Sequence, residues 1–463
     1  MQGFKELEFI DVGGGFGLPY RPREEPLNLT ELGSGASVPK ELIKGFVDFN
    51  ACPRCFELVE GSSRSVNTGA RALLTALIAF YTIVYFHRVM TGVMKVEVDR
   101  VASVHNVSPD VLMALLSSAY FYAYTVAQLF VGALTDTFGI KRVGFLFGVV
   151  MCAGGLIMCL MTPASLIIGR FLVGFSAAAA FLAYQRASSL SYDAGHQGRL
   201  TSYALTLGNL GGLAATYPLR LTLNTVGLRT SLMVLTLLAL ITATCVLITS
   251  DDLGSGKGVE DLKKTVMYLG VLARDPHVWG VSVGAVGIYG VTLAYQTSWG
   301  QKHMMEAFGM SAEAASQYLM LLALAFTLTC PLSGFLSDRV LKRRRPVFLA
   351  GSLASATSWM LMLYSTLTHD VVVLATSLTI LGIASGLQII ASPMIKESYP
   401  VKYSATAIAL LNITLFSSAA VLQTAAPLLS LREAILTHLI ISLAGASLAL
   451  TATRETLRQA SAT

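Results

Sequence analysis

The sequence predicts an all-α membrane protein, with twelve transmembrane helices in two pseudo-symmetric bundles of six. Three observations carry this fold class. Of 463 residues, 54% are hydrophobic and 13% charged, with a mean hydropathy of +0.63. A soluble globular chain carries about 25% charge. Apolar runs of spanning length, roughly 20 residues each, recur along the chain in two sets of six. One loop sequence also appears twice, starting at Gly132 and again at Gly334, which marks an internal repeat.

Taken in order, residues 1–66 are Gly-, Pro- and charge-rich without a sustained period and read as a disordered cytosolic tail. The opening "MQGFKELEFIDVGGGFG" lacks the basic flank and apolar core of a secretory signal. The first span itself is then expected to direct insertion. The N-terminal bundle is expected over 67–250, with spans near 71–96, 110–134, 143–162, 165–186, 201–223 and 230–249. An acidic, Gly-containing cytosolic linker occupies 251–276. The C-terminal bundle is expected over 277–453, with spans near 278–299, 312–336, 346–366, 371–394, 404–428 and 433–452. A short cytosolic tail, 454–463, ends the chain.

Orientation follows from the distribution of basic residues. With the N-terminus inside, the outer loops carry only Lys95, Arg100, Arg229, Lys302 and Arg432, whereas the inner loops hold clusters such as Lys141-Arg142 and Lys342 to Arg345. Both termini are therefore expected in the cytosol, at the plasma membrane or an organelle membrane. The net charge of +6 is small and no basic patch is interleaved with aromatics, which argues against nucleic acid. Cys52 and Cys55 form a lone "CPRC" with no second pair of zinc ligands, so no metal and no cofactor are expected. Walker A loop and nucleophile elbow are both missing from the sequence, and an enzyme is not expected.

The repeated loop reads "GALTDTFGIKR" after the second span and "GFLSDRVLKRR" after the eighth. Matching loops in matching places indicate a duplicated six-helix unit, whose site lies between the halves near the midplane. On these residues the chain, from about 70 to 455, resembles the major facilitator superfamily of transporters. That family has Gly-x-Leu-[Ala/Ser]-Asp-Arg-x-Gly-Arg-Lys/Arg in this loop. Gly132, Leu134, Asp136, Gly139 and Lys141 match in the first copy, with Thr137 and Ile140 in place of two arginines. Gly334, Leu336, Asp338, Arg339, Lys342 and Arg343 match in the second. Arg170 and Gly174 match the family's fourth-helix motif, and "GNLGGLAATYP" is a loose form of its Gly-rich fifth-helix motif without the Gly-Pro dipeptide. "YFHRV" and "SSAYFYAYTVAQLFVGALTD" look most like bacterial-type facilitators of small organic or inorganic anions. The resemblance implies a conformational latch at Gly132, Asp136, Gly139, Lys141, Arg142, Asp338 and Arg339, and a monomeric transport unit.

Arg88 is the sharpest candidate for solute contact. An arginine inside a span costs roughly 2.5–3.5 kcal/mol on insertion scales unless it meets a partner or a wet cavity. It shares one helical face with Tyr81, Tyr85 and Gly92, while Ser117, Tyr120, Tyr124 and Gln128 line a face of the second span. A planar guanidinium suits a carboxylate, phosphate or nitrate. Aligning Gly92 with Gly300 sets neutral Gln296 opposite Arg88, which favours a singly charged anion or a zwitterion. The lone amide Gln388 follows the small residues of "GIASG" and is a further candidate. Arg170 is expected to be structural, Arg220 to reach the outer surface, and His87 to be a packed histidine or a proton sensor. Predicted spans hold Asp or Glu only at their first residue or two, at Asp110, Glu313 and Glu433, and none in their interior, which disfavours carboxylate proton relays and cation export.

The expectation is an alternating-access carrier of a small anionic or zwitterionic solute within the lipid bilayer, acting as a facilitator or exchanger. A uniporter of neutral sugars or nucleosides is the alternative. A non-transporting membrane sensor or scaffold is the alternative from another class.

Overall fold

The computed structural model describes residues 68–192, 194–249, 270–399 and 401–457. The predicted N-terminal tail, most of the linker and the last six residues lie outside the described residues. Thirteen helices follow in order: α1 (Thr68–Met90), the short α2 (Lys95–Val104), α3 (Pro109–Phe138), α4 (Ile140–Met158), α5 (Pro163–Ser191), α6 (Ala194–Ala214) and α7 (Tyr217–Ile248) form the first half. The second half consists of α8 (Pro276–Phe308), α9 (Ala312–Val340), α10 (Arg345–Thr368), α11 (Val371–Ser398), α12 (Val401–Ala425) and α13 (Leu431–Ala452).

Eleven of the described helices are long and apolar enough to cross a membrane. Among the described residues the chain crosses twelve times, because Gly227, at φ 79°, breaks α7 into two. Its first part, 217–226, continues α6 past Ala215 and Thr216, and its second part, 228–248, runs back. The expected boundary between the fifth and sixth spans therefore falls at a glycine in a conformation that side chains disfavour.

Local sequence explains where helices begin. Ser108 with Pro109 starts α3, Thr162 and Ser165 form a reciprocal capping box before α5, and Asp275 with Pro276 starts α8. Ser430 and Glu433 repeat the capping box at α13. These side chains satisfy amide donors that a first helical turn leaves open. Gly139, at φ 82°, turns the chain between α3 and α4.

Leu146, Leu156, Ile168, Leu237, Ile248 and Ile440 are exposed outward, as lipid-facing positions should be. Between helices the fit relies on small residues. At Gly174 an added Cβ would collide with the Tyr120 backbone, so α5 and α3 pack against each other without an intervening side chain. That is a physical reason for glycine four residues after Arg170.

The two helix-initial ends of the halves differ. The end carrying Lys95, Asp110 and Lys302, here the Lys302 end, holds most of the polar bonds between the halves. The end carrying Gly139 and Arg344, here the Arg344 end, holds a cluster internal to the second half.

Candidate functional site

Arg88 sits one turn before α1 tightens into a 3-10 turn, Thr91–Val93. It is 3% exposed, and its Nε has no hydrogen-bond partner. Its guanidinium carbon lies 4.4 Å from the Tyr85 ring centroid, 5.1 Å from Phe416 and 5.4 Å from Tyr124. Tyr120 and Tyr289 are close enough to interact with it as well. Tyr85, Tyr120 and Tyr124 belong to the first half; Tyr289 and Phe416 belong to the second. The cation is thus enclosed by rings from both halves, and among the described residues no carboxylate pairs with it. Ring faces stabilise a cation modestly, by about 0.5–2 kcal/mol each. They offer no oxygen acceptor to Nε.

The structure brings Tyr85, Tyr120 and Tyr124 to Arg88, as the helical spacing predicts. Gln128 lies further along α3, where its Oε1 accepts from Asn412 Nδ2 across the halves at 3.5 Å. Gln296 and Gln388 are both buried. Gln296 presents its backbone carbonyl to Gly92, where an added Cβ would strike it. The second-half residues found at Arg88 are Tyr289 and Phe416, which sequence reading missed. α8 is buried on nearly every side, so Tyr289 stands in no polar stripe that would single it out.

Arg170 on α5 is wholly buried, with its guanidinium 4.6 Å from the Tyr120 ring centroid. Nη2 lies 3.4 Å from Thr91 Oγ1, while Nε and Nη1 have no partner. Tyr120 therefore lies against both buried arginines.

Arg220 corrects an expectation. Instead of reaching the outer surface it is 2% exposed and makes a two-pronged pair with Glu97 of α2, at 2.9 and 2.7 Å. It also donates to Val93 O at 3.1 Å and Asn224 Oδ1 at 2.7 Å. Asn224 in turn donates to Glu313 Oε1 of the second half at 2.5 Å. Glu97 falls just past the first predicted span, where a buried acid was not anticipated.

Further bonds join the halves at this Lys302 end. Thr91 and Ser117 donate to Thr297 O at 2.7 and 3.1 Å, and Lys95 N donates to Gln301 Oε1 at 3.0 Å. Lys302 pairs with Asp110 at 2.7 Å. α8 carries two π turns, Val286–Gly290 and Tyr295–Trp299, and the second holds Thr297. Wide turns of this kind are frequent at functional positions.

At the Arg344 end, Arg344 donates to Asp338 and, at 2.8 Å, to Glu397, while its backbone N–H reaches Glu455 Oε1 at 2.7 Å. Burial opposes this guanidinium's charge, but Glu397 and Asp338 outweigh it and hold its pKa above the ordinary value. Arg339 lies in the π turn ending α9. In the first copy of the loop, Lys141 is half-buried and Arg142 exposed. Gly132 and Asp136 lie within α3, and the Asp136 side chain is outside the described residues.

The family model described as Major Facilitator Superfamily matches residues 66–424. Among solved structures, the chain is similar to a D-xylose-proton symporter, with TM-score 0.68 and 13% identity, over 83% of this chain and 98% of that one. It is also similar to a bacterial homolog of the human lysosomal transporter Spinster in an inward-facing, unoccupied form, with TM-score 0.65 and 16% identity, over 86% and 99%. The occupied form of that homolog gives TM-score 0.63 at 15% identity, over 86% and 99%. Identities this low speak for the fold alone. Comparison with curated proteins gives no match. With the family model covering most of the chain and twelve crossings in two halves, the chain belongs to the major facilitator superfamily, whose members move small solutes across the bilayer by alternating access.

Proposed function

We propose that this transporter carries a small organic anion or zwitterion, anchored by Arg88. The observation that carries the reading is the setting of that guanidinium: buried, unpaired with any described carboxylate, missing a partner at Nε, and walled by rings from both halves. A buried charge without a counter-ion is costly. A solute oxygen supplies the missing acceptor, and tyrosine hydroxyls donate to the same anion. Gln128 and Asn412, one from each half, offer amides to the rest of the solute. Transport is by facilitation or exchange, in a monomeric unit with both termini cytosolic. On that orientation the Lys302 end faces outward and is shut here, and the Arg344 cluster is part of the inner latch.

The test is uptake into proteoliposomes of a labelled panel: lactate, gluconate, glutamate, inorganic phosphate, glucose and uridine. An anion or glutamate enters with wild-type protein, and Arg88→Gln reduces its kcat/KM at least about tenfold, the effect of 1.4 kcal/mol. Unchanged affinity in Arg88→Gln overturns the reading. A second reading, a uniporter of sugars or nucleosides, draws on the same paired amides and ring walls. Entry of glucose or uridine alone, unaffected by Arg88→Gln, selects it.

A further inference from the structure

Asn209 of α6 is 3% exposed and takes no part in the ring enclosure of Arg88. Its amide is only half satisfied. Nδ2 donates to the Cys330 sulfur of α9, in the second half, at 3.5 Å, whereas Oδ1 is buried with no hydrogen-bond partner. A buried acceptor without a donor costs free energy that an apolar side chain would save. The other buried amide with an open oxygen, Gln423, belongs to the bonds around Thr297. Asn209 instead belongs with Arg88. At Gly208, the preceding residue, an added Cβ would come within 2.9 Å of the Tyr81 ring and 3.1 Å of the Tyr85 ring. At Gly212, one turn on, it would come within 3.6 Å of the opposite edge of Tyr85. That same ring lies under the Arg88 guanidinium, 4.4 Å from centroid to carbon. On the facing half, Phe326, one turn before Cys330, stacks on Tyr289 at 5.4 Å. Arg88 and the segment of α6 carrying Asn209 thus meet on one tyrosine ring at the seam between the halves.

We propose that Asn209 sets the specificity of this site by accepting a hydroxyl of the solute, which is a hydroxy monocarboxylic acid; the inference rests on Arg88 anchoring an anion. The argument is one of complementarity. Arg88 lacks an acceptor at Nε, and a carboxylate supplies it. Asn209 lacks the reverse, a donor, and an O–H or N–H elsewhere on the same solute supplies that. An ammonium would place a second positive charge near Arg88, where the span interiors hold no carboxylate to balance it. A hydroxyl donates without adding charge. Sulfur is a weak acceptor, so little is lost when the halves part and Asn209 leaves Cys330 for the solute. Such a site discriminates through what it leaves unpaired. An acid of the same length without the hydroxyl closes Asn209 Oδ1 away from any donor, and is rejected for that reason.

The experiment uses the full chain in proteoliposomes, with protein-free vesicles as control and labelled lactate, gluconate, glutamate and phosphate as probes. Unlabelled acids compete in pairs that differ by their hydroxyls, lactate against propionate and gluconate against hexanoate, with alanine as the amino analogue of lactate. Wild-type protein takes up lactate or gluconate, and the hydroxy acid competes at a concentration at least about tenfold below that of its partner. Alanine competes no better than propionate. Asn209→Leu narrows the ratio within a pair to less than about threefold, whereas a merely structural role would weaken both members alike and keep the ratio. Asn209→Ala serves if the first variant is not recovered folded. A smaller ratio in wild type, which needs no variant, overturns the proposal. So does a wild-type ratio kept in the Asn209 variant, alanine competing as well as lactate, or entry of glutamate or phosphate alone. Each of these leaves anion transport at Arg88 standing. If no anion enters at all, it is the Arg88 reading that fails, and the Asn209 proposal falls with it.

Discussion

The Thr91 hydroxyl donates to the Thr297 carbonyl at 2.7 Å, joining the opening helix of one half to the opening helix of the other where both depart from α geometry. Gly92, the next residue, lies so close to the Gln296 carbonyl that any Cβ would strike it. Gly92→Val is therefore expected to wedge α1 from α8 and favour the form open at the Lys302 end. A cysteine introduced at Ser298 should become several-fold more reactive to a membrane-impermeant maleimide in that background. Uptake should fall by about tenfold, corresponding to 1.4 kcal/mol. Thr91→Val, which keeps the volume, should show a smaller shift of the same sign.

The Glu97–Arg220 pair predicts an asymmetry between single and double changes. Both side chains are nearly inaccessible, at 6% and 3%. Removing one partner leaves a buried charge, which costs about 3–5 kcal/mol, whereas replacing both partners is far milder. Arg220→Ala should lower the melting temperature in detergent by several degrees. Glu97→Gln combined with Arg220→Gln should recover most of that loss.

Arg344 tests whether the loop at the end of α9 depends on fork geometry or on charge alone. It bonds Asp338 and Glu397 with separate nitrogens, which a lysine ammonium cannot reproduce. Arg344→Lys is expected to recover less than half of what Arg344→Ala loses. The loss for Arg344→Ala is about 1.5–3 kcal/mol, the range for hydrogen bonds to charged groups, read as a fall in melting temperature.

Asp275 predicts a dependence on acidity. Burial pushes its carboxyl up, but the Tyr399 hydroxyl at 2.5 Å, the His277 backbone N–H at 2.8 Å and Arg454 outweigh that and set it below the ordinary carboxylate value. The unfolded chain therefore binds the proton more readily. Stability from this group is complete above its unfolded value and is lost as pH falls through the lower folded one. Between about pH 5 and pH 3, Asp275→Asn should show a shallower decline in melting temperature than wild type. An equal slope would remove Asp275 from the acid response.

The twelve crossings and the repeat are legible in the sequence because hydropathy and loop motifs are local signals. Tyr85, Tyr120 and Tyr124 are legible as neighbours of Arg88 through helical spacing. Glu97 and Arg220 are not, because 123 positions separate them and "VMKVEVDR" reads as a loop. Tyr289 escapes for another reason. Two π turns in α8 change which residues face the first half, so an ungapped alignment of the two halves cannot carry register from α1 to α8. Asp338 is legible as a loop acid, but its partner Arg344 reads only as one of four consecutive basic residues.

The π turn at Thr297 has a consequence for the energy of gating. Its carbonyl accepts hydroxyls from Thr91 and Ser117, and its own hydroxyl accepts from Gln423. When the halves part at this end, water replaces the two hydroxyls from the first half, one acceptor bond for another. Protein–protein and protein–water bonds of this kind differ by only about 0.5–1.5 kcal/mol. The seal is thus specific in its geometry yet nearly isoenergetic with its hydrated form, and so shallow a balance is one that a single bound solute is able to tip.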